Sequence, residues 1–172
     1  MRKSAYFIVP RKREGSKPQV LDSNYVVGLV DGEGSFYVRL NTDIRRRNII
    51  ELKFSLKLRY QDKEILEELQ QFFGCGKIYL QKDNRPNHTD CYRFEVNNKK
   101  DVIEKIIPFF TVNSPKIQSR KRDFELFKQI AALSQQDTFN RDEVQNLKNQ
   151  MHWGLAVYGK TVCTVGNQVT QE

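Results

Sequence analysis

The chain has 172 residues, 38% hydrophobic and 29% charged, with 29 Lys and Arg against 21 Asp and Glu for a net charge of +8. That length suits one ordinary domain with a real core, and the composition excludes a wholly disordered chain. No apolar run is long enough to span a bilayer, and Ala5–Val9 after Met1-Arg2-Lys3 is too short for a secretory signal core, so an intracellular, non-secreted protein is expected, with no membrane partner.

The three cysteines, Cys75, Cys91 and Cys163, form no CxxC pair, so neither a disulfide framework nor a zinc cage is indicated. His88 and His152 are isolated and lack metal-ligand spacing. The excess of positive charge favours a polyanionic partner.

Residues 1–20 read as a basic N-terminal arm, with Arg11-Lys12-Arg13 followed by Gly15, Ser16, Lys17 and Pro18. Such a segment is either a solvated tail or a contact to a DNA backbone or minor groove. One domain is expected over residues 21–153, and 154–172 form a tail of unassigned structure. Asp22-Ser23-Asn24 offers N-cap chemistry for a short helix from about Tyr25, which Gly28, Gly32 and Gly34 punctuate.

From Phe36 the period becomes two, with Phe36, Val38 and Leu40 alternating with Tyr37, Arg39 and Asn41. After a polar turn near 43–48 a second strand alternates Leu52, Phe54, Leu56 and Leu58 with Lys53, Ser55, Lys57 and Arg59. Residues 62–73 return to helical spacing, ended by Gly74-Cys75-Gly76. Two strands follow, Lys77–Gln81 and Cys91–Val96, and then a helix opened by Asp101. A Pro-containing turn leads to a longer helix near Ser119–Leu133, and a last helix covers about Arg141–Trp153. The order predicts one α+β domain with a four-stranded antiparallel sheet.

Alternate residues of a strand point to opposite faces. One parity in all four strands is apolar and must face the helices. The other carries Tyr37, Arg39 and Asn41; Lys53, Ser55, Lys57 and Arg59; Lys77, Tyr79 and Gln81; and Arg93 with Glu95. This face is either the ordinary solvated side of a sheet or a surface that reads base edges in a major groove, which admits a β-ribbon. Its scarcity of acids favours DNA.

Val26-Val27-Gly28-Leu29-Val30-Asp31-Gly32-Glu33-Gly34, followed by Ser35-Phe36, resembles the LAGLIDADG signature of homing endonucleases, with four of nine letters identical. The helix opening directly into a strand, and the αββαββα order over about residues 22–133, are similar to that family as well. So are Phe72-Phe73-Gly74-Cys75-Gly76-Lys77-Ile78 and Lys121-Arg122-Asp123-Phe124-Glu125-Leu126-Phe127.

The resemblance implies an intron-encoded, metal-dependent endonuclease that makes a staggered double-strand cut in a long pseudo-palindromic site. Glu33 is then the metal-binding carboxylate, with the Gly32 carbonyl as a backbone ligand. Few hard oxygen donors suit Mg²⁺, or Mn²⁺ or Ca²⁺ in its place. Val27, Gly28, Asp31 and Gly32 are implied at a homodimer interface, Asp31 as a cap or hydrogen-bond partner, because one motif supplies one carboxylate and two strands need two. Double-stranded DNA is the implied partner, with Ser35 added to the strand residues that contact it. Arg120 or Lys116 is the implied cation at the phosphate, while Lys121 and Arg122 are phosphate anchors or solvated charges. Relatives carry a Gln after the second strand; this chain has Leu58 there, with Lys57, Arg59 and Gln61 nearby.

Gly154–Thr161 satisfies the P-loop pattern GxxxxGK[ST], but no strand precedes it, so no nucleotide cofactor is expected. The competing functional reading is a non-cutting binder on the same fold, either an intron RNA maturase or a DNA-binding regulator.

Overall fold

The computed structural model describes residues 21–41, 49–83, 85, 89–136 and 138–151. The basic arm, the 154–172 tail with its P-loop-like stretch, His88, His152 and Cys163 lie outside these residues. Along the chain run α1 (Ser23–Glu33), β1 (Gly34–Leu40), β2 (Ile50–Arg59), a 3-10 turn (Tyr60–Asp62), α2 (Lys63–Phe73), β3 (Lys77–Gln81) and β4 (Cys91–Val96). They are followed by α3 (Lys99–Asp101), a π-helical turn (Val102–Ile106), α4 (Ile107–Val112), α5 (Gln118–Leu133) and α6 (Arg141–Gln150).

Asp22 begins α1 as expected, its carboxylate accepting from the backbone N–H of Asn24 at 2.8 Å and of Tyr25 at 3.4 Å. The third helical stretch starts earlier than Asp101, because the Asn98 side chain caps it by accepting from Lys100 N–H at 2.9 Å. From Lys99 to Val112 it is continuous, and the π turn stands just before Pro108. A proline has no N–H for the helical ladder and crowds the preceding turn, and a local π geometry accommodates that interruption.

The sheet order is β1-β2-β4-β3, antiparallel throughout. One face packs under the helices. Phe36 is its centre, with ring centroids 5.3–5.4 Å from Phe54, Phe110, Phe124 and Phe127, so β1 is tied to β2, α4 and α5 by one side chain. Such aromatic pairs contribute about 0.5–1.5 kcal/mol each beyond area burial. At the far edge the helices no longer cover the sheet: Leu80, on the apolar parity of β3, is 43% exposed.

Val26, Val27 and Val30 all enter this core at 3% exposure or less. The Val27 side chain therefore faces inward and is withdrawn as an interface residue. Three valines within five positions anchor one face of α1, an arc of about 100°, and the exposed face carries Tyr25, Gly28 and Gly32.

Gly34 joins α1 to β1 with almost no space. A Cβ there would stand 2.5 Å from Val30 Cγ1 and 2.6 Å from the Val30 carbonyl oxygen. Gly34→Ala is expected to cost about 1–3 kcal/mol as overpacking. A urea titration with an unchanged midpoint would show that the junction is looser than this.

Candidate active site and nucleic-acid interface

Glu33 is the last residue of α1, exposed, at the mouth of a cleft of about 850 Å³ that continues onto the basic sheet face. Gly32, Glu33, Ser35, Lys57, Arg93 and Arg120 are among the residues lining it. Glu33 thus stands where β1 begins, while Arg120 reaches the same cleft from the first turn of α5.

The link between these two elements is Asp31. It is only 8% exposed, and its two carboxylate oxygens accept from the Lys116 backbone N–H at 2.9 and 3.2 Å. Its own carbonyl accepts from Arg120 Nε at 3.3 Å. A latch therefore fixes the start of α5 to the last turn of α1, two residues before Glu33. Asp31, expected as a cap or an interface hydrogen-bond partner, is engaged within its own chain, on the segment just before α5 and not at a helix cap. Lys116 enters the latch through its backbone; its side chain is exposed and does not line the cleft. Of the two cations considered, Arg120 is the one that lines the same cleft as Glu33.

Asp31→Ala would take the partner from the partly buried Lys116 N–H, at an expected cost of about 1–3 kcal/mol in denaturant unfolding. A loss below about 0.5 kcal/mol would mean that water replaces the carboxylate at no penalty.

The strand residues form cross-strand rows on the open face. Ser35 stands opposite Ser55, which stands opposite Glu95, and Glu95 opposite Lys77. Lys57, Arg93 and Tyr79 form the next row, and Arg59, Cys91 and Gln81 the one beyond. On the other side, Tyr37 faces Lys53 and Arg39 faces Glu51. Tyr37, Arg39, Lys57, Arg59, Lys77, Tyr79 and Gln81 are exposed, and Ser35, Lys53, Ser55 and Arg93 half-buried.

Asn41 departs from this pattern. It is 5% exposed, its Nδ2 donates to Glu51 Oε1 at 2.7 Å, and its carbonyl accepts from Arg141 of α6. Asn41 is therefore withdrawn as a base-reading residue: α6 covers it, and its amide is engaged with Glu51.

Two acids line the cleft beside the cations, Glu51 and Glu95. Glu51 escaped the sequence reading because the alternation of β2 begins at Ile50, two residues before the first leucine counted. Leu58 packs against the core, so the position where relatives carry Gln is turned away from the cleft; Lys57 lines the cleft instead, and Gln61 sits exposed in the 3-10 turn.

Of the acids lining the cleft, Glu51 is bonded to Asn41 and Glu95 to Lys53 and Asn97, so the Glu33 carboxylate and the Gly32 backbone are the donors that the motif offers a cation here. Among the described residues no group of three His, Cys, Asp or Glu converges to hold a metal. A single hard carboxylate suits an ion that keeps waters and completes its shell with phosphate oxygens, so the residues present fit a Mg²⁺-type ion as partial ligands.

No described helix is long and apolar enough to cross a membrane. The family profile described as LAGLIDADG endonuclease matches residues 26–131. The chain is 35% identical over 114 residues to the Mycosarcoma maydis protein named "Probable intron-encoded DNA endonuclease 1", covering 64% of this chain and 38% of that one. The crystal structure of the homing endonuclease I-TnaI superposes with a TM-score of 0.64 at 25% identity, over 77% of this chain and 88% of that one. I-SmaMI bound to uncleaved DNA target in the presence of calcium ions gives 0.66 at 25% identity, over 88% of this chain and 53% of that one. The chain thus spans less than half of the fungal relative and about half of I-SmaMI.

Proposed function

Because the chain belongs to the LAGLIDADG endonuclease family, we propose that it is a site-specific homing endonuclease, acting as a homodimer on a long pseudo-palindromic duplex to make a metal-dependent staggered double-strand cut. The observation that carries this reading is an exposed carboxylate, Glu33, at the foot of α1, in one cleft with Arg120 and continuous with a face of Arg, Lys, Ser, Tyr and Gln side chains.

In this reading the sheet lies in the major groove. Arg39, Lys53, Lys57, Arg59, Lys77, Gln81 and Arg93 offer donors to base edges, with Ser35, Ser55, Tyr37 and Tyr79 among them. Glu33 and the Gly32 carbonyl hold Mg²⁺, or another divalent ion such as Mn²⁺ or Ca²⁺. A bound ion of this kind supplies an activated water and neutralises charge on the leaving oxygen. Arg120, held by the Asp31 carbonyl, contributes positive charge at the phosphate. The protein is read as intracellular, since that is where such a target lies.

The dimer reading rests on the uncovered face of α1. Gly28 and Gly32 are exposed and a Cβ on either would meet nothing within 4 Å, so no packing inside the chain demands them. Each costs about 1 kcal/mol of helix propensity relative to Ala. Close approach of a second motif helix offsets that cost. A second copy also brings a second Glu33, one for each strand. The placement of Glu33 at a cleft favours cutting over a maturase or regulator that only binds.

Incubation of the protein and Mg²⁺ with a library of randomised duplexes, followed by sequencing of the cut ends, tests this. Recovery of one family of two-fold symmetric sites with staggered ends is expected. Absence of any cut duplex, with selective binding of intron RNA instead, would overturn it.

A further inference from the structure

Of the two acids beside the cations of the sheet face, Glu95 is the one where the two central strands pair, between Ser55 and Lys77. Glu95 Oε2 lies 3.4 Å from Lys53 Nζ, and Asn97 Nδ2 donates to Glu95 Oε1 at 3.4 Å. The Lys53 ammonium lies in turn 5.7 Å over the Tyr37 ring. The carboxylate is the less accessible partner, its side chain 13% exposed against 33% for Lys53. In the register Glu95 has Ser55 on one side and Lys77 on the other, with Lys57 and Arg93 in the next row.

A surface that only attracted phosphates would gain nothing from a carboxylate at its middle, and a pair 3.4 Å apart with a third of its lysine exposed adds only modestly to stability. We propose that Glu95 is a specificity-determining positioning residue, which holds the Lys53 ammonium between its carboxylate and the Tyr37 ring and so keeps it from neutralising phosphates indiscriminately. This rests on the reading that the sheet face contacts duplex DNA.

The physical argument concerns what lysine does when unrestrained. It is a point charge on a flexible four-carbon stem, and the nearest phosphate satisfies it whatever the sequence. Held from two sides, it becomes an oriented donor suited to guanine O6 and N7 in the major groove. The carboxylate also repels any backbone docked in a wrong register, so misplaced complexes are penalised as well as the right one favoured.

The test compares the full chain with its Glu95→Gln, Lys53→Met and doubly substituted variants, each confirmed folded by circular dichroism. Binding is measured to a random-sequence duplex and to the duplex recovered from the cleavage selection. For Glu95→Gln the random duplex is expected to bind more tightly, with its log–log salt slope steeper by about 0.9 per subunit. The ratio of random to selected Kd should fall at least about fivefold. Both changes should vanish in the Lys53→Met background.

Unchanged random-duplex affinity and slope in Glu95→Gln would overturn the proposal. So would an effect that persists without Lys53, or one confined to a single base pair of the selected site, which would make Glu95 itself a base reader. A wild-type chain that binds no duplex at all would instead overturn the DNA reading beneath it.

Discussion

Glu33→Gln is expected to lower strand cleavage about a thousandfold or more, equivalent to about 4 kcal/mol of transition-state stabilisation, while leaving affinity for the selected duplex within about threefold. The substitution preserves shape, removes the charge and turns one acceptor oxygen into an amide donor. That charge has no opposite-charge partner among the described residues. Glu33 stands at the C-terminal end of α1, where the helix dipole disfavours an anion. It is also exposed. The variant should therefore melt at or slightly above the wild-type temperature. Cleavage within tenfold of wild type, measured in single-turnover reactions with Mg²⁺, would remove Glu33 from the chemistry.

Gly28→Leu should separate folding from association. In the single chain the site is exposed and a Cβ there has open space, so the leucine meets no obstacle. Replacing glycine within a helix by leucine should favour the isolated fold by up to about 1 kcal/mol. Between two motif helices packed glycine to glycine, the same side chain would hold the backbones apart. Sedimentation should find a folded monomer, and double-strand cutting should fall by about a hundredfold or more as the second Glu33 is lost. A Gly28→Leu protein that sediments as a dimer and cuts both strands would place the subunit contact elsewhere.

Much of the fold is legible locally because it is written in period and punctuation. Four strands separate polar from apolar residues by parity, and the bounds Lys77–Gln81 and Cys91–Val96 emerge as read. Asp22 and Gly74 mark helix ends by chemistry confined to a few neighbouring residues. Glu33 and the exposed glycines of α1 follow from a nine-residue pattern.

What escapes the sequence is decided by contacts between distant segments. Asp31 reaches Lys116 across 85 positions, and Arg141 reaches Asn41 across 100, and nothing local announces either. With the first contact, Arg120 lines the cleft and the Lys116 side chain does not. The second removes Asn41 from a face to which its parity assigns it. Val27 misleads for another reason: in a run of valines broken by glycine, helical spacing alone does not say which valine is turned outward. Glu95 was visible as an exception on a basic face, but its engagement with Lys53 and Asn97 required the pairing of β2 with β4.

Mixed dimers probe the whole arrangement most directly. Wild-type and Glu33→Gln chains carrying different affinity tags can be co-expressed, purified sequentially as the mixed species, and given a supercoiled plasmid bearing one selected site. If each subunit contributes one acid for one strand, the plasmid should accumulate as nicked circles with essentially no linear product. Linear DNA forming at the wild-type rate would contradict the account.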